Sequence, residues 1–228
     1  VYVVLGGQNV WGPDLDLEYA DGSFLGEDWY NYAGHSVAIA GDVDGDGHDD
    51  VLIGAYGNDD ADYDAGKAYL VLGHAAPWAT DVGLASADAS FLGESWYDYA
   101  GYEVAGAGDV DGDGYDDFLI GSPNNGEASW EAGQAYLILG AASGWSQHVS
   151  LSASDASFTG PGLYYACGGA LDSAGDMNGD GFDDMAIGCP YASDLALQAG
   201  ETFVIYGAAT GWAMDTSLDQ VDASLLGE

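Results

Sequence analysis

Basic residues are almost absent from this sequence: Lys67 is its only Lys or Arg, against 39 Asp and Glu in 228 residues. The formal net charge of −38 excludes a surface that binds DNA, RNA or an anionic membrane, because these polyanions require positive charge on the protein. No apolar run approaches the roughly 20 residues of a membrane span, so we expect no direct membrane insertion. The two Cys are too few for a disulfide scaffold.

The residues that are abundant predict a folded, turn-rich protein. Hydrophobic residues make up 48% of the chain and aromatic residues 13%, which distinguishes it from acidic chains that stay disordered. The 37 Gly residues suit many tight turns, and the length corresponds to one or two domains. The acidic excess indicates a protein that binds cations.

An internal repeat of 67 residues organises the chain. Ser23–Glu27 returns as Ser90–Glu94, and tryptophan recurs in phase at Trp11, Trp78, Trp145 and Trp212. Three complete repeats and 27 residues of another account for the length. The predicted units are 1–27, which ends a preceding repeat, followed by 28–94, 95–161 and 162–228. Because the chain starts and stops inside a repeat, we expect a piece of a longer protein.

Each repeat has the pattern of four short strands and no helical periodicity. In the first complete repeat the predicted strands are 36–40, 51–54, 68–73 and 89–92. The second of these is apolar throughout, as in a strand buried on both faces. Four antiparallel strands per repeat are typical of a β-propeller blade, so the predicted fold class is all-β, with three complete blades and part of another. A stacked β-solenoid is the alternative, although its repeats are usually much shorter.

An acidic loop lies between the first and second predicted strands of every repeat. The loops are 42–50 (DVDGDGHDD), 109–117 (DVDGDGYDD) and 176–184 (DMNGDGFDD). Side-chain oxygens at positions 1, 3, 5 and 9, with the backbone carbonyl of position 7, can surround one hard cation, and Ca²⁺ best suits such a set of oxygens. Three Ca²⁺ ions are therefore predicted, one per loop.

The predicted metal ligands follow from these positions. In the first loop they are Asp42, Asp44, Asp46, His48 and Asp50. In the second loop they are Asp109, Asp111, Asp113, Tyr115 and Asp117. In the third loop they are Asp176, Asn178, Asp180, Phe182 and Asp184. His48, Tyr115 and Phe182 would contribute only their backbone carbonyl oxygens.

The acidic loops have two other possible interpretations. An EF-hand requires Glu at position 12 and flanking helices, but that position is Ile53, Ile120 or Ile187 within a predicted strand. An acidic turn that stays solvated without a metal is the other alternative. The Asp residues at position 8 are interpreted as turn or supporting residues rather than ligands; they are Asp49, Asp116 and Asp183.

The loops and their flanks resemble the FG-GAP repeats of integrin α-subunits and of related bacterial proteins. Each loop lies between a residue pair, such as Ala33-Gly34, and a triplet such as Gly121-Ser122-Pro123, which are similar to the two halves of the family motif. The first aromatic of the motif is replaced by Ala or Cys. The resemblance implies a propeller of seven blades when complete, with calcium on one face. The missing blades would come from the rest of the protein or from further copies.

The opposite face is predicted to bind a ligand. The loops joining the second and third strands (57–64, 124–131 and 191–198) differ in sequence on a constant frame, as binding surfaces often do. Aromatic segments 28–32, 95–99 and 162–165 enter the first strands on that face. Tyr and Trp beside polar groups suit a protein or carbohydrate ligand, whereas the alternative is that they pack between blades. The recurring tryptophans are interpreted as structural.

Cys167 and Cys189 fall at the two ends of a predicted hairpin in the third repeat. We expect a cross-strand disulfide there, and two buried thiols are the alternative.

The predicted function is a non-enzymatic, calcium-stabilised binding or adhesion module of a secreted or cell-surface protein, where calcium is plentiful. The four histidines do not recur in phase, and no Ser/His/Asp pattern is evident. One alternative is a structural building block of a surface layer or filament. Another is the accessory propeller of a secreted hydrolase.

Overall fold

The computed structural model describes residues 1–6, 16–194 and 196–227. Trp11 and part of the 191–198 loop therefore lie outside the described residues. The described strands, in chain order, are β1 (Tyr2–Val3), β2 (Gly22–Leu25), β3 (Val37–Gly41), β4 (Asp50–Ala55), β5 (Lys67–Val71), β6 (Val82–Gly83), β7 (Ala89–Leu92), β8 (Glu103–Gly108), β9 (Asp117–Ser122), β10 (Gln134–Ile138), β11 (Val149–Ser150), β12 (Ala156–Thr159), β13 (Ala170–Gly175), β14 (Asp184–Cys189), β15 (Glu201–Ile205), β16 (Thr216–Ser217) and β17 (Ala223–Leu226).

Three of the sheets share a core of four sequential antiparallel strands. Their strand orders are β3-β4-β5-β7, β8-β9-β10-β12 and β13-β14-β15-β17. A further sheet begins with the antiparallel pair of β1 and β2. The predicted all-β class is confirmed, and so is the arrangement of four antiparallel strands in one repeat. The unit boundaries 28–94, 95–161 and 162–228 remain a prediction.

Small residues allow the first strands of neighbouring repeats to approach closely. Strand β8 packs against β3, and β13 packs against β8. A Cβ atom on Gly106 would lie only 2.6 Å from the carbonyl oxygen of Ile39 and 3.0 Å from that of Ala40. The apolar second strands lie deeper in the sheets, and Leu52 and Ile53 of β4 are fully buried.

The third strand of the first complete repeat ends earlier than the sequence predicted. The expected strand 68–73 stops at Val71, because the next two N–H groups bond to carboxylates instead of to a neighbouring strand. Leu72 N–H donates to Asp88 at 2.9 Å, and Gly73 N–H donates to Asp50 at 2.6 Å. Strand β7, by contrast, has the predicted bounds Ala89–Leu92.

A short parallel strand from the following repeat extends three of the sheets, which the sequence did not predict. Strands β6, β11 and β16 pair with β2, β7 and β12 in turn. Each covers the outer edge of a sheet that would otherwise present unpaired backbone groups. Three-residue 3₁₀ helices follow these strands or occupy the matching place near the start of the chain: Leu17–Tyr19, Leu84–Ser86, Leu151–Ala153 and Leu218–Gln220.

The described recurring tryptophans pack at the edges of the cores, in agreement with a structural role. Trp78 lies edge-on to Phe24, with ring centroids 6.2 Å apart, and Trp145 lies 6.1 Å from Phe118. Trp212 packs against a core that residues of the second and third complete repeats form together. None of the described helices has the length and apolar character needed to cross a membrane.

The two cysteines form the predicted disulfide. Cys167 and Cys189 are bonded to each other, and Cys189 is the last residue of β14. The backbone of Cys167 also pairs with that of Gly133 in the preceding repeat, as a single parallel β-bridge. Both side chains are fully buried. The alternative of two buried thiols is therefore wrong.

Candidate functional sites

The three acidic loops are turns between the first and second strands, and each is wound around its first residue. The carboxylate of Asp42 accepts hydrogen bonds from the N–H groups of Asp46 and Gly47, both at 2.9 Å. Asp109 and Asp176 accept the equivalent bonds in their loops at 3.0 to 3.1 Å. Positive φ angles of 75° at Gly45 and 90° at Gly47 allow the tight winding, since L side chains seldom adopt them.

The last residue of each loop fastens the loop to the sheet. Asp50 is fully buried, and its two carboxylate oxygens accept from Val43 N–H at 2.8 Å and Gly73 N–H at 2.6 Å. Asp117 and Asp184 make the same pair of bonds in the next repeats, at 2.7 to 2.9 Å. This anchoring role was not predicted from the sequence, which identified these residues only as metal ligands.

Positions 1, 3 and 9 of the first two loops converge. Ligand atoms of Asp42, Asp44 and Asp50 all lie within 4.8 Å of one another, as do those of the equivalent group Asp109, Asp111 and Asp117. The third loop keeps Asp176 and Asp184 and has Asn178 as its middle oxygen donor. Oxygen-only donors at this spacing suit a hard cation such as Ca²⁺.

Burial and mutual repulsion disfavour the charged state of the anchoring carboxylates. Burial, together with the charges of Asp44 and Asp42, raises the pKa of Asp50 to about 6, although the two backbone hydrogen bonds act to lower it. Burial raises the pKa of Asp117 to about 7, for the same set of reasons. A bound cation would relieve this repulsion, so the residues present fit a metal.

The carboxylate at position 5 is not part of the converging group in either of the first two loops. Asp46 Oδ1 accepts from His48 N–H at 2.9 Å and lies 3.0 Å from His48 Nδ1, and these bonds lower its pKa. Asp113 and Asp180 accept from the N–H of Tyr115 and Phe182, both at 3.0 Å. In the first two loops the structure therefore brings together only part of the predicted ligand set.

The opposite face carries a cleft of about 700 Å³ in the second complete repeat. It lies between segment 95–99 and loop 124–131, which were predicted to share that face. Trp96 and Trp130 form aromatic walls, and Glu94 and Glu127 supply acidic groups. Burial raises the pKa of Asp98, another lining residue, to about 6.

The equivalent place in the first complete repeat holds a cation. Nζ of Lys67 lies 2.7 Å from Glu27 and 2.7 Å from Asp60, and its side chain is fully buried. These two acids correspond to Glu94 and Glu127 in the cleft, and Lys67 corresponds to Gln134.

Gln134 does not replace the missing charge. Its Nε2 donates to Asp215 at 3.1 Å, and its buried Oε1 has no partner among the described residues. This contrast was not predicted from the sequence, although the single basic residue, in phase with a Gln, was the signal that could have revealed it.

The aromatic residues of this face combine exposure with contacts between repeats. Trp29 is 85% exposed and Trp96 is 55% exposed. Tyr97 packs on Tyr63 of the preceding repeat, with ring centroids 5.2 Å apart. The same aromatic segments therefore pack between repeats and also expose side chains that a ligand could contact.

Comparison with known proteins agrees with this architecture. The sequence profile of the FG-GAP repeat matches residues 33–71 and 100–138. Integrin alpha-IIb of Mus musculus is 32% identical over 185 residues, which are 79% of this chain and 17% of that protein. Integrin alpha-8 of Gallus gallus is 30% identical over 196 residues, 82% of this chain and 16% of that protein. Integrin alpha-PS2 of Drosophila melanogaster is 29% identical over 204 residues, 84% of this chain and 14% of that protein.

Residues 33–71 and 100–138 are thus FG-GAP repeats, and the four-stranded sheets of the chain are of the kind that form β-propeller blades. The chain is similar to integrin α-subunits over about 80% of its own length, and it spans about one sixth of theirs. The predicted resemblance is thereby confirmed. The predicted secreted or cell-surface location agrees with these relatives, which are cell-surface proteins.

Proposed function

We propose that the chain is a non-enzymatic, calcium-stabilised binding or adhesion module of a larger extracellular protein. Its kinship with integrin α-subunits supports an adhesion role. In this proposal residues 28–94, 95–161 and 162–228 are three blades of a propeller, and 1–27 ends a preceding blade. The remaining blades belong to the rest of the protein or to further copies.

Calcium is proposed to occupy each acidic loop, making three ions in all. The observation that carries this part is the convergence of buried or half-buried carboxylates at positions 1, 3 and 9 of the first two loops, which no basic side chain neutralises among the described residues. The third loop repeats the pattern with Asn178 at position 3. Bound calcium would remove the repulsion within each loop and hold the first two strands of the repeat together. The carboxylates at position 5 and the carbonyl oxygens at position 7 would complete each set after a small movement of the loop.

The cleft of the second complete repeat is proposed to bind the ligand of the module. The cleft has three acidic residues beside its aromatic walls, namely Glu94, Asp98 and Glu127. It has no ammonium group of the kind that Lys67 supplies in the preceding repeat. The ligand should therefore carry a positive charge, and a lysine side chain from a protein partner has the same chemistry as Lys67. Trp96 and Trp130 add favourable contacts with the cation and with its apolar stem. A neutral carbohydrate is the alternative ligand.

A capped amino acid tests the ligand proposal. Nα-acetyl-lysine methylamide should bind wild-type protein and perturb the fluorescence of the cleft tryptophans, whereas the norleucine analogue should not. Gln134→Lys should abolish this binding, because its ammonium would occupy the place between Glu94 and Glu127. Gln220→Lys adds the same charge at an exposed position and serves as the control. Failure of wild type to bind, or undiminished binding by Gln134→Lys, would contradict the proposal.

A further inference from the structure

Successive acidic loops are bonded to each other across repeats. Asp116 in the second loop accepts at Oδ2 from Asp42 N–H at 2.9 Å, and its own N–H donates to the carbonyl of Asp42 at 3.2 Å. In the third loop, Asp183 makes the same two bonds with Asp109 at 3.2 and 3.1 Å. Each of these bonds therefore joins position 8 of one loop to position 1 of the preceding loop.

The surroundings of these bonds are equally close. Gly41 has a φ of +90° and lies so near the Asp116 carboxylate that a methyl group there would collide with it. The ring of Tyr115 covers Gly45, where a Cβ would lie 2.6 Å from the ring. The carbonyl of Val43 accepts from the N–H of Ala141 at 2.9 Å. The first loop is thus held by several groups of the next repeat.

The third loop provides an internal comparison, because no following repeat covers it among the described residues. Met177 at its second position is 62% exposed, whereas Val43 and Val110 at the same position are 0% exposed. Asp49, which has the same loop position as Asp116, is exposed, and its carboxylate accepts no hydrogen bond within the described part of the chain. The next repeat therefore covers the first and second loops, whereas the third loop is not covered by any described residue of a following repeat.

We propose that Asp116 and Asp183 are positioning residues that set the calcium affinity of the preceding loop. This inference rests on the proposed calcium binding. Asp42 is the residue around which its loop is wound, so a displacement of its backbone moves its carboxylate relative to Asp44 and Asp50. Residues that orient metal ligands commonly change metal affinity by roughly 10- to 100-fold when they are replaced.

Amide resonances can test this loop by loop. Gly47, Gly114 and Gly181 occupy position 6 of the three loops, so the ¹⁵N–¹H shift of each reports calcium in its own loop during a titration. Asp116→Ala should raise the calcium midpoint of Gly47 by roughly tenfold and leave that of Gly181 unchanged. Asp183→Ala should raise the midpoint of Gly114 in the same way. Asp49→Ala removes the same charge beside the first loop without removing an inter-repeat bond, so the midpoint of Gly47 should stay the same.

The conservative variant Asp116→Asn separates hydrogen bonding from charge. Its amide oxygen can accept the bond from Asp42 N–H, so the midpoint of Gly47 should return close to the wild-type value. The inference is overturned if Asp116→Ala moves only Gly114, if Asp49→Ala moves Gly47 as far as Asp116→Ala does, or if Asp116→Asn binds as weakly as Asp116→Ala. If the wild-type resonances do not respond to calcium, the proposed calcium binding itself is wrong and the inference falls with it.

Discussion

Nζ of Lys67 lies 2.7 Å from Oε1 of Glu27, at the start of the third strand in the first complete repeat. The same oxygen accepts from the hydroxyl of Tyr69 at 2.8 Å, and the ammonium lies 4.9 Å from the centre of the Tyr69 ring. The only Lys or Arg of the chain is therefore fully buried and forms ion pairs with acidic side chains of the same chain. In the next repeat the same place has no cation.

Lys67→Met should destabilise the protein by about 2–4 kcal/mol, because it leaves the carboxylates of Glu27 and Asp60 without their cation. The lower part of that range is favoured, since both carboxylates are partly exposed. Chemical denaturation of Lys67→Met, Glu27→Gln and the double variant measures the effect. The double variant should lose less stability than the sum of the single variants, and strict additivity would contradict direct coupling.

Stability should depend on pH in opposite directions with and without calcium. Burial raises the pKa of Asp50 to about 6 and that of Asp117 to about 7. A carboxyl group whose pKa is higher in the folded state than in the unfolded state stabilises the protein at pH values below the pKa of the unfolded state. This contribution is lost as the pH rises through the pKa of the folded state. Chelator-treated protein should therefore lose stability between about pH 4 and pH 7 through these groups.

With calcium, the same groups must be ionised to bind the metal. The calcium affinity should therefore fall as pH decreases from about 7.5 to about 5.5, and it should fall first in the second loop because Asp117 has the higher pKa. Melting temperatures and calcium titrations across this range provide the measurement. A calcium affinity that does not change with pH would contradict a site containing these carboxylates.

The strand pattern was visible in the sequence because it depends on local composition. Runs such as Leu52-Ile53 mark a buried strand, and the recurrence of the loops at a fixed spacing locates the turns. The parallel pairing of β11 with β7 was not visible, because two residues carry no periodicity and their register depends on the next repeat.

The candidate metal residues could be identified from the sequence, but their other partners could not. The spacing of Asp42, Asp44 and Asp50 within one loop indicates a cation. It does not show that Asp50 also accepts from Gly73 N–H, 23 residues later, or that Asp116 bonds to Asp42 across repeats. Such contacts depend on how separate strands and repeats pack.

Removal of the disulfide should destabilise the protein by about 3 kcal/mol, since the bridge restricts the unfolded chain between Cys167 and Cys189. The double substitution Cys167→Ala with Cys189→Ser introduces the pair found at Ala100 and Ser122 in the preceding repeat. Urea denaturation in excess calcium measures the loss, and wild type in reductant is the control. Equal denaturation midpoints for oxidised wild type and the double variant would contradict a stabilising bridge.

The glycine before each loop should tolerate substitution only where no neighbouring repeat covers it. Gly108 has a φ of +79° and lies against the Asp183 carboxylate, whereas Gly175 has a φ of +62° and no neighbouring atom within 4 Å of the place that a methyl group would take. Both Ala variants incur the strain of a positive φ, roughly 1–2 kcal/mol. Gly108→Ala should lose more stability than Gly175→Ala in thermal unfolding, and equal losses would contradict close contact between the loops.

A calorimetric titration of calcium into chelator-stripped protein tests the central claim most directly, with the melting temperature followed in parallel. Three Ca²⁺ ions per chain and a marked rise in melting temperature are expected, because the first two loops bring together carboxylates that no neighbouring cation neutralises and the third loop repeats their pattern of oxygen donors. The first two loops should bind more tightly than the third. Absence of binding, or a melting temperature that is the same in calcium and in chelator, would contradict a calcium-stabilised module.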